Sequence, residues 1–168
     1  MVNSNQHEGT PYISKDGSML FFTRWGKDKD PKECGIYLSR FFNNLRLPPQ
    51  KLGDAVNMPG YKSMHPFLSE DGSILYFASN RPGGKGKMDI WYCEIDEYGK
   101  VASPINLGGK INTTEDDVSP YYSDSSQTLF FSSKGHRGMG GFDIFQSYGT
   151  FENYHQPENL GFPINSGR

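Results

Sequence analysis

The chain carries only two cysteines in 168 residues, Cys34 and Cys93. They fall at different positions of the internal repeat described below, so no disulfide framework is written into the pattern, and the redox compartment stays open. No stretch approaches the roughly 18 apolar residues of a membrane-spanning helix. The opening Met-Val-Asn-Ser-Asn-Gln-His-Glu lacks the apolar core of a secretory signal. No block of like charge exceeds a few residues and the formal net charge is −2, which argues against nucleic-acid binding through a general positive potential. Apolar spacing at i, i+3, i+4 and i+7 is always interrupted by Gly or Pro, so α-helix is expected to be almost absent. Gly-x-Ser-x-Gly, His-Glu-x-x-His and Gly-x-Gly-x-x-Gly motifs are all missing, which points away from catalysis.

What is present is aromatic and punctuated: 14% aromatic residues, 20 glycines and 11 prolines against a hydrophobic share of 35%. That mixture suits many short strands joined by turns. The chain also says nearly the same thing three times. Pro11, Pro66 and Pro120 each precede a turn and an apolar run, Leu20-Phe21-Phe22, Leu75-Tyr76-Phe77 and Leu129-Phe130-Phe131. Each unit continues through Gly35-Ile36-Tyr37, Asp89-Ile90-Trp91 or Asp143-Ile144-Phe145, reaches Leu-Gly, and closes on Val56-Asn57, Ile111-Asn112 or Ile164-Asn165. Val2-Asn3 repeats that closing pair at the start, and the steps between the four pairs are 54, 55 and 53 residues. The fold must therefore be read by the repeat.

In the second unit, strands are expected over Ser63–Leu68, Ile74–Ser79 and Asp89–Ile95, with a shorter one around Ile105–Leu107. The Asp71-Gly72 turn between the first two favours a hairpin. Ile74-Leu75-Tyr76-Phe77-Ala78 does not alternate apolar with polar, so this strand should be covered on both faces. A blade between two blades meets that demand, and the expected fold is all-β: three four-stranded antiparallel blades of a β-propeller, over residues 2–55, 56–110 and 111–168.

The motifs Ser14-Lys15-Asp16-Gly17-Ser18-Met19-Leu20-Phe21-Phe22 and Ser69-Glu70-Asp71-Gly72-Ser73-Ile74-Leu75-Tyr76-Phe77, followed by Ser79-Asn80-Arg81-Pro82-Gly83-Gly84 and Asp89-Ile90-Trp91, resemble the WD-like repeat of TolB-type propellers. The resemblance is strongest to propellers joined to OmpA-type peptidoglycan-binding domains in Bacteroidetes envelope proteins. It implies a non-catalytic protein–protein scaffold in the periplasm or at the outer membrane, with another envelope protein or a peptidoglycan-associated assembly as partner and no cofactor. It also departs from the pattern: unit one has Gly35 where the others have Asp, and unit three replaces Asp-Gly by Asp124-Ser125-Ser126. Propellers have about 4–8 blades, so three need completion. The resemblance implies an excerpt of a longer chain, and a homodimer closing a six-bladed ring is the other route.

Loops entering strand one and joining strands two and three share one propeller rim. On it the sequence places Trp25, Lys27, His65, Arg81, Lys85, Asp116, His136 and Arg137, read as a partner- or ligand-binding surface. The Gly-rich loops at 81–87 and 135–141 offer backbone N–H groups to an anion, although their simpler role is a sharp return of the chain. Asp89 and Asp143 are read as structural latches that accept N–H bonds from those loops. Glu115-Asp116-Asp117 and the scattered histidines give no metal pattern. A glycan-binding or glycan-processing propeller, using channel-side Glu8 and Asp116, is the alternative function.

Overall fold

The computed structural model describes residues 2–26, 34–43 and 45–167. Lys27 and most of the loop between Trp25 and Cys34 lie outside the described residues.

Three antiparallel sheets follow one another along the chain. The first contains β1 (His7–Ile13), β2 (Met19–Trp25), β3 (Gly35–Phe42), β4 (Leu45–Arg46) and β5 (Gln50–Lys51). The second contains β6 (Ser63–Leu68), β7 (Ile74–Ser79), β8 (Asp89–Glu94) and β9 (Ile105–Asn106), and the third β10 (Asp117–Ser123), β11 (Thr128–Ser133), β12 (Asp143–Tyr148) and β13 (Glu158–Asn159). The one helical element among the described residues is a single 3-10 turn at Phe151–Asn153. In the first blade the outer strand is split: β3 runs on to Phe42 and pairs with both β4 and β5.

The first strands of neighbouring blades pack on each other, β1 against β6 and β6 against β10. The fourth strands do not meet, so the first strands are innermost and the blades fan outward. The middle blade is covered on both faces. Leu75 and Phe77 of β7 enter a core with Phe21, Ile36, Leu38 and Val56 of blade one. Tyr76 enters a second core with Tyr122, Leu129, Phe131 and Phe145 of blade three. Successive side chains of a strand point to opposite faces, and here both faces are dry.

The recurrent prolines mark the same irregularity three times. Each innermost strand breaks register between Gly9 and Tyr12, Met64 and Phe67, or Val118 and Tyr121. The residue before each proline, Thr10, His65 or Ser119, has a positive φ of 48°, 55° or 55°. A proline cannot donate to the ladder, so it sits where a bulge has already interrupted it.

The closing asparagines join the outer part of each blade. Asn57 accepts the N–H of Ile36 at 2.7 Å and donates to the carbonyls of Ile36 and Leu52 at 2.9 and 2.8 Å. Asn112 treats Ile90 the same way at 2.8 and 3.0 Å, as Asn165 does Ile144 at 2.8 Å in both bonds. One side-chain amide thus stands in for a strand neighbour, satisfying backbone groups that would otherwise be buried unpaired.

Candidate functional site: rims and grooves of the blades

The tight-turn rim is built by short-range chemistry. Asp16 accepts the Ser14 hydroxyl at 2.5 Å and the Ser18 N–H at 3.0 Å, and Asp71 accepts the same bonds from Ser69 and Ser73. Those bonds hold the Asp16 carboxyl down at about 2. Gly17 and Gly72 complete the turns at φ 75° and 77°, a conformation that glycine adopts without strain.

On the opposite rim the Gly-rich loops close on their own carboxylates. Asp89 accepts the N–H groups of Lys85 and of Gly86, the latter at 3.0 Å, and a third bond from Asn106 at 2.9 Å. Asp143 takes bonds from Met139, Gly140 and Asn159 in the third blade. A Cβ at Gly84 or Gly138 would collide with the Asp89 or Asp143 carboxylate, which explains glycine there better than turning alone. The backbone donors that an external anion would need are therefore already directed at internal aspartates.

Arg81, expected on the rim, points inward instead. It is 8% exposed; its guanidinium donates to the carbonyls of Ala55 (2.6 Å) and Val56 and lies 4.8 Å and 5.4 Å from the ring centroids of Phe77 and Trp91. Burial brings its pKa down to about 10, which leaves it charged at neutral pH. The arrangement recurs with other residues. Arg24 donates to the Val2 carbonyl at 2.8 Å and covers Phe22 and Tyr37 at 5.3 and 4.5 Å. His136 Nε2 bonds the Ile111 carbonyl at 2.8 Å, and its ring contacts Phe131 and Phe145 at 5.7 and 5.2 Å. Each blade thus clips the carbonyl of the preceding Val/Ile-Asn pair with a donor laid on two aromatic rings. Arg81 and His136 are parts of the joints between blades. The clip was missed from sequence because its three donors stand at different repeat positions.

His65 is half-buried at the bulge, where burial pushes its pKa down. Its backbone N–H donates to Thr23 Oγ1 of β2 at 3.0 Å and its Nδ1 meets Ser119 Oγ of β10 at 3.1 Å, so a short polar row links the three blades at the bulge. Trp25, Lys85 and Arg137 are exposed, with Trp25 stacked on His7 at 5.7 Å. The rim residues of the sequence reading are thereby separated: some face solvent, while Arg81 and most of His136 serve the interior.

The three successive acidic residues also part company. Glu115 pairs with Lys87 at 2.5 Å and Asp116 with Lys134 at 3.1 Å. Asp117 is fully buried and accepts the N–H and hydroxyl of Thr113 at 2.5 and 2.8 Å. Among the described residues no three His, Cys, Asp or Glu side chains converge to hold a metal ion. Burial raises the Asp117 pKa. A carboxyl whose folded pKa exceeds its unfolded value costs stability as pH rises above the unfolded value, near 3.9. Asp117→Asn keeps an acceptor for Thr113 and removes the charge. Urea titrations should show a smaller loss of stability between pH 4 and pH 7 in the variant than in the parent; equal losses would rule this out.

A groove of about 940 Å³ lies on the tight-turn rim between blades one and two. Phe41, Phe42 and Tyr98 border it together with Arg40, Lys15 and the turn acids Asp16 and Asp71. Phe42 and Tyr98 are 64% and 70% exposed. Cys34 and Cys93 are buried free thiols, and burial pushes Cys93 up to about 12.

No family model and no curated protein matches the chain. Among solved structures, TolB from Acinetobacter baumannii is similar at 14% identity with a TM-score of 0.58, over 90% of this chain and 32% of that one. A thermostable family-43 glycoside hydrolase is similar at 16% identity with a TM-score of 0.54, over 94% of this chain and 55% of that one. The chain thus spans about a third and about half of those structures. At these identities the likeness concerns the fold alone, and the fold is that of a β-propeller.

Proposed function

We propose that this chain is a non-catalytic interaction module, a β-propeller segment of the TolB-like, OmpA-associated kind that scaffolds protein–protein contacts in a bacterial cell envelope. The observation that carries the reading is the use made of the repeated carboxylates. Asp16, Asp71, Asp89 and Asp143 all accept bonds from neighbouring loop backbone, and Asp117 does so from inside the fold. Groups so engaged hold loops in shape, which suits a scaffold better than acid–base chemistry.

The contact surface is the groove bordered by Phe41, Phe42 and Tyr98. Exposed aromatic rings beside charged side chains are the composition of protein-binding hot spots. The test is a pull-down from envelope extract with the parent chain and with a Phe42→Ala/Tyr98→Ala variant. A specific protein recovered by the parent and lost by the variant is expected. Equal recovery by both, or none by either, would overturn the assignment. Calorimetry with peptidoglycan and polysaccharide fragments separates the glycan reading: binding heat or turnover there would replace the scaffold with a carbohydrate site.

A further inference from the structure

The third strand of blade one does more than close its sheet. β3 has eight residues where β8 and β12 have six, and its last two pair with β4 in a short hairpin. In the repeat register Phe42 stands where the other units have Asp96 and Thr150. Asp96 caps its own turn, accepting the N–H groups of Tyr98 and Lys100 at 3.0 and 2.8 Å, so the repeat itself makes no demand for an aromatic ring there. Phe42 and Leu45 are direct cross-strand partners and share a face, which Leu47, two residues further on, shares as well. All three are exposed. Phe42 also alternates with Ile36 and Leu38, which pack toward blade two. The walls of the groove therefore belong to adjacent blades of this chain, and a blade stacked on either end face would leave it open.

Tyr98, from the turn after β8, supplies an exposed ring on the blade-two side, and buried Met19, Leu68 and Ile95 also line the groove. The charges around these apolar groups do not balance. Lys15 is taken by Glu70 at 2.5 Å, which leaves Arg40 against Asp16, Asp71 and Glu97. Among the described residues none of those three acids forms an ion pair. Hydroxyl and N–H donors hold the carboxyls of Asp16 and Asp71 below the ordinary range, so both are charged at neutral pH.

We propose that this groove holds a basic segment of a partner protein, with a large apolar side chain seated between Phe42 and Tyr98 and flanking lysine or arginine side chains directed at Asp16, Asp71 and Glu97. The proposal rests on the scaffold reading and adds the chemistry of the partner to it. The apolar hairpin supplies the seat, and charge complementarity selects the occupant. A basic segment meets three unpaired carboxylates and gains further from the faces of exposed rings. An acidic segment would meet the same carboxylates as repulsion, with Arg40 alone to offset them.

Random peptides displayed on phage, selected on the intact chain and counter-selected on the Phe42→Ala/Tyr98→Ala variant, test it, with the recovered peptides then labelled and titrated by fluorescence anisotropy. Peptides that pair an aromatic or branched apolar residue with lysine or arginine are expected. Their binding should weaken about tenfold or more in the Phe42→Ala/Tyr98→Ala variant and fall as salt rises. Glu97 is exposed, so Glu97→Lys should keep the parent's melting temperature while weakening the same peptides about fivefold. Neutral or acidic peptides that need Phe42 and Tyr98 would overturn the basic segment and leave the scaffold reading standing. Basic peptides indifferent to both rings, or no peptide enriched over the variant, would overturn the groove as their seat. Self-association of the chain that the Phe42→Ala/Tyr98→Ala variant abolishes would put a second copy there and overturn it too. Failure of the scaffold reading itself shows separately, as an envelope pull-down that recovers no specific protein.

Discussion

Arg81→Ala should be among the most destabilising single substitutions in the protein, costing about 3–5 kcal/mol. The truncation takes the Arg81 donor from the half-buried carbonyl of Ala55 and leaves the buried carbonyl of Val56 with the Ser63 hydroxyl alone, at about 1–3 kcal/mol for a group left unpaired, empties the space of a buried guanidinium and uncovers Phe77 and Trp91. For a chain of this size that corresponds to a melting temperature lower by about 10 °C. Arg81→Lys should recover little, because an ammonium group cannot bridge two carbonyls and lie flat on two rings together. Arg137 is exposed, so Arg137→Ala should stay within about 0.5 kcal/mol of the parent. Urea titration of the three variants decides the matter, and indistinguishable midpoints for the Arg81 and Arg137 alanine variants would remove the clip from the account of stability.

Asn112→Asp should be comparably damaging at neutral pH despite its near-identical shape. The amide nitrogen donates to the Ile90 carbonyl and to Asn106 Oδ1, both at 3.0 Å, at a fully buried position. A carboxylate puts an acceptor against two acceptors and buries a charge with no cation bonded there, a loss of about 3–5 kcal/mol. Burial raises the carboxyl above its unfolded value of about 3.9. The protonated form is therefore favoured in the fold, and the loss should shrink as pH falls from 8 toward 4. Asn3→Asp, at the exposed member of the same motif, serves as the control and should be close to neutral at both pH values. A pH-independent loss at Asn112, or an equal effect at Asn3, would show that the amide is not a strand surrogate.

These two residues show unequal legibility in the sequence. Asn112 belongs to a pair recurring at fixed spacing, so its importance could be read even though its bonding to a third strand could not. Arg81 was visible as a cation beside a Gly-rich loop, and exposure was the natural inference. Nothing in a linear register says that the side chain turns back across a blade to reach residues 25 and 26 positions earlier. The strands were plainer. Ser63–Leu68 and Ile74–Ser79 lie where the apolar runs and the Asp-Gly turn put them, and the third strand stops one residue early because Ile95 bridges to Val101 instead. The split outer strand of blade one had no sequence signal, since it depends on how far β3 extends before Asn43 turns at φ 48°.

The sequence alone determined the repeat, the all-strand character and the demand that Leu75-Tyr76-Phe77 be covered on both faces. These follow from spacing, from turn-forming residues and from the twofold alternation of side chains, all of which are local. Only the tertiary structure decided which polar residues hold the blades together and which face solvent. Arg24, Arg81 and His136 reach one kind of site from three different repeat positions, because packing selects for a donor at a place in space, whatever its place in the chain.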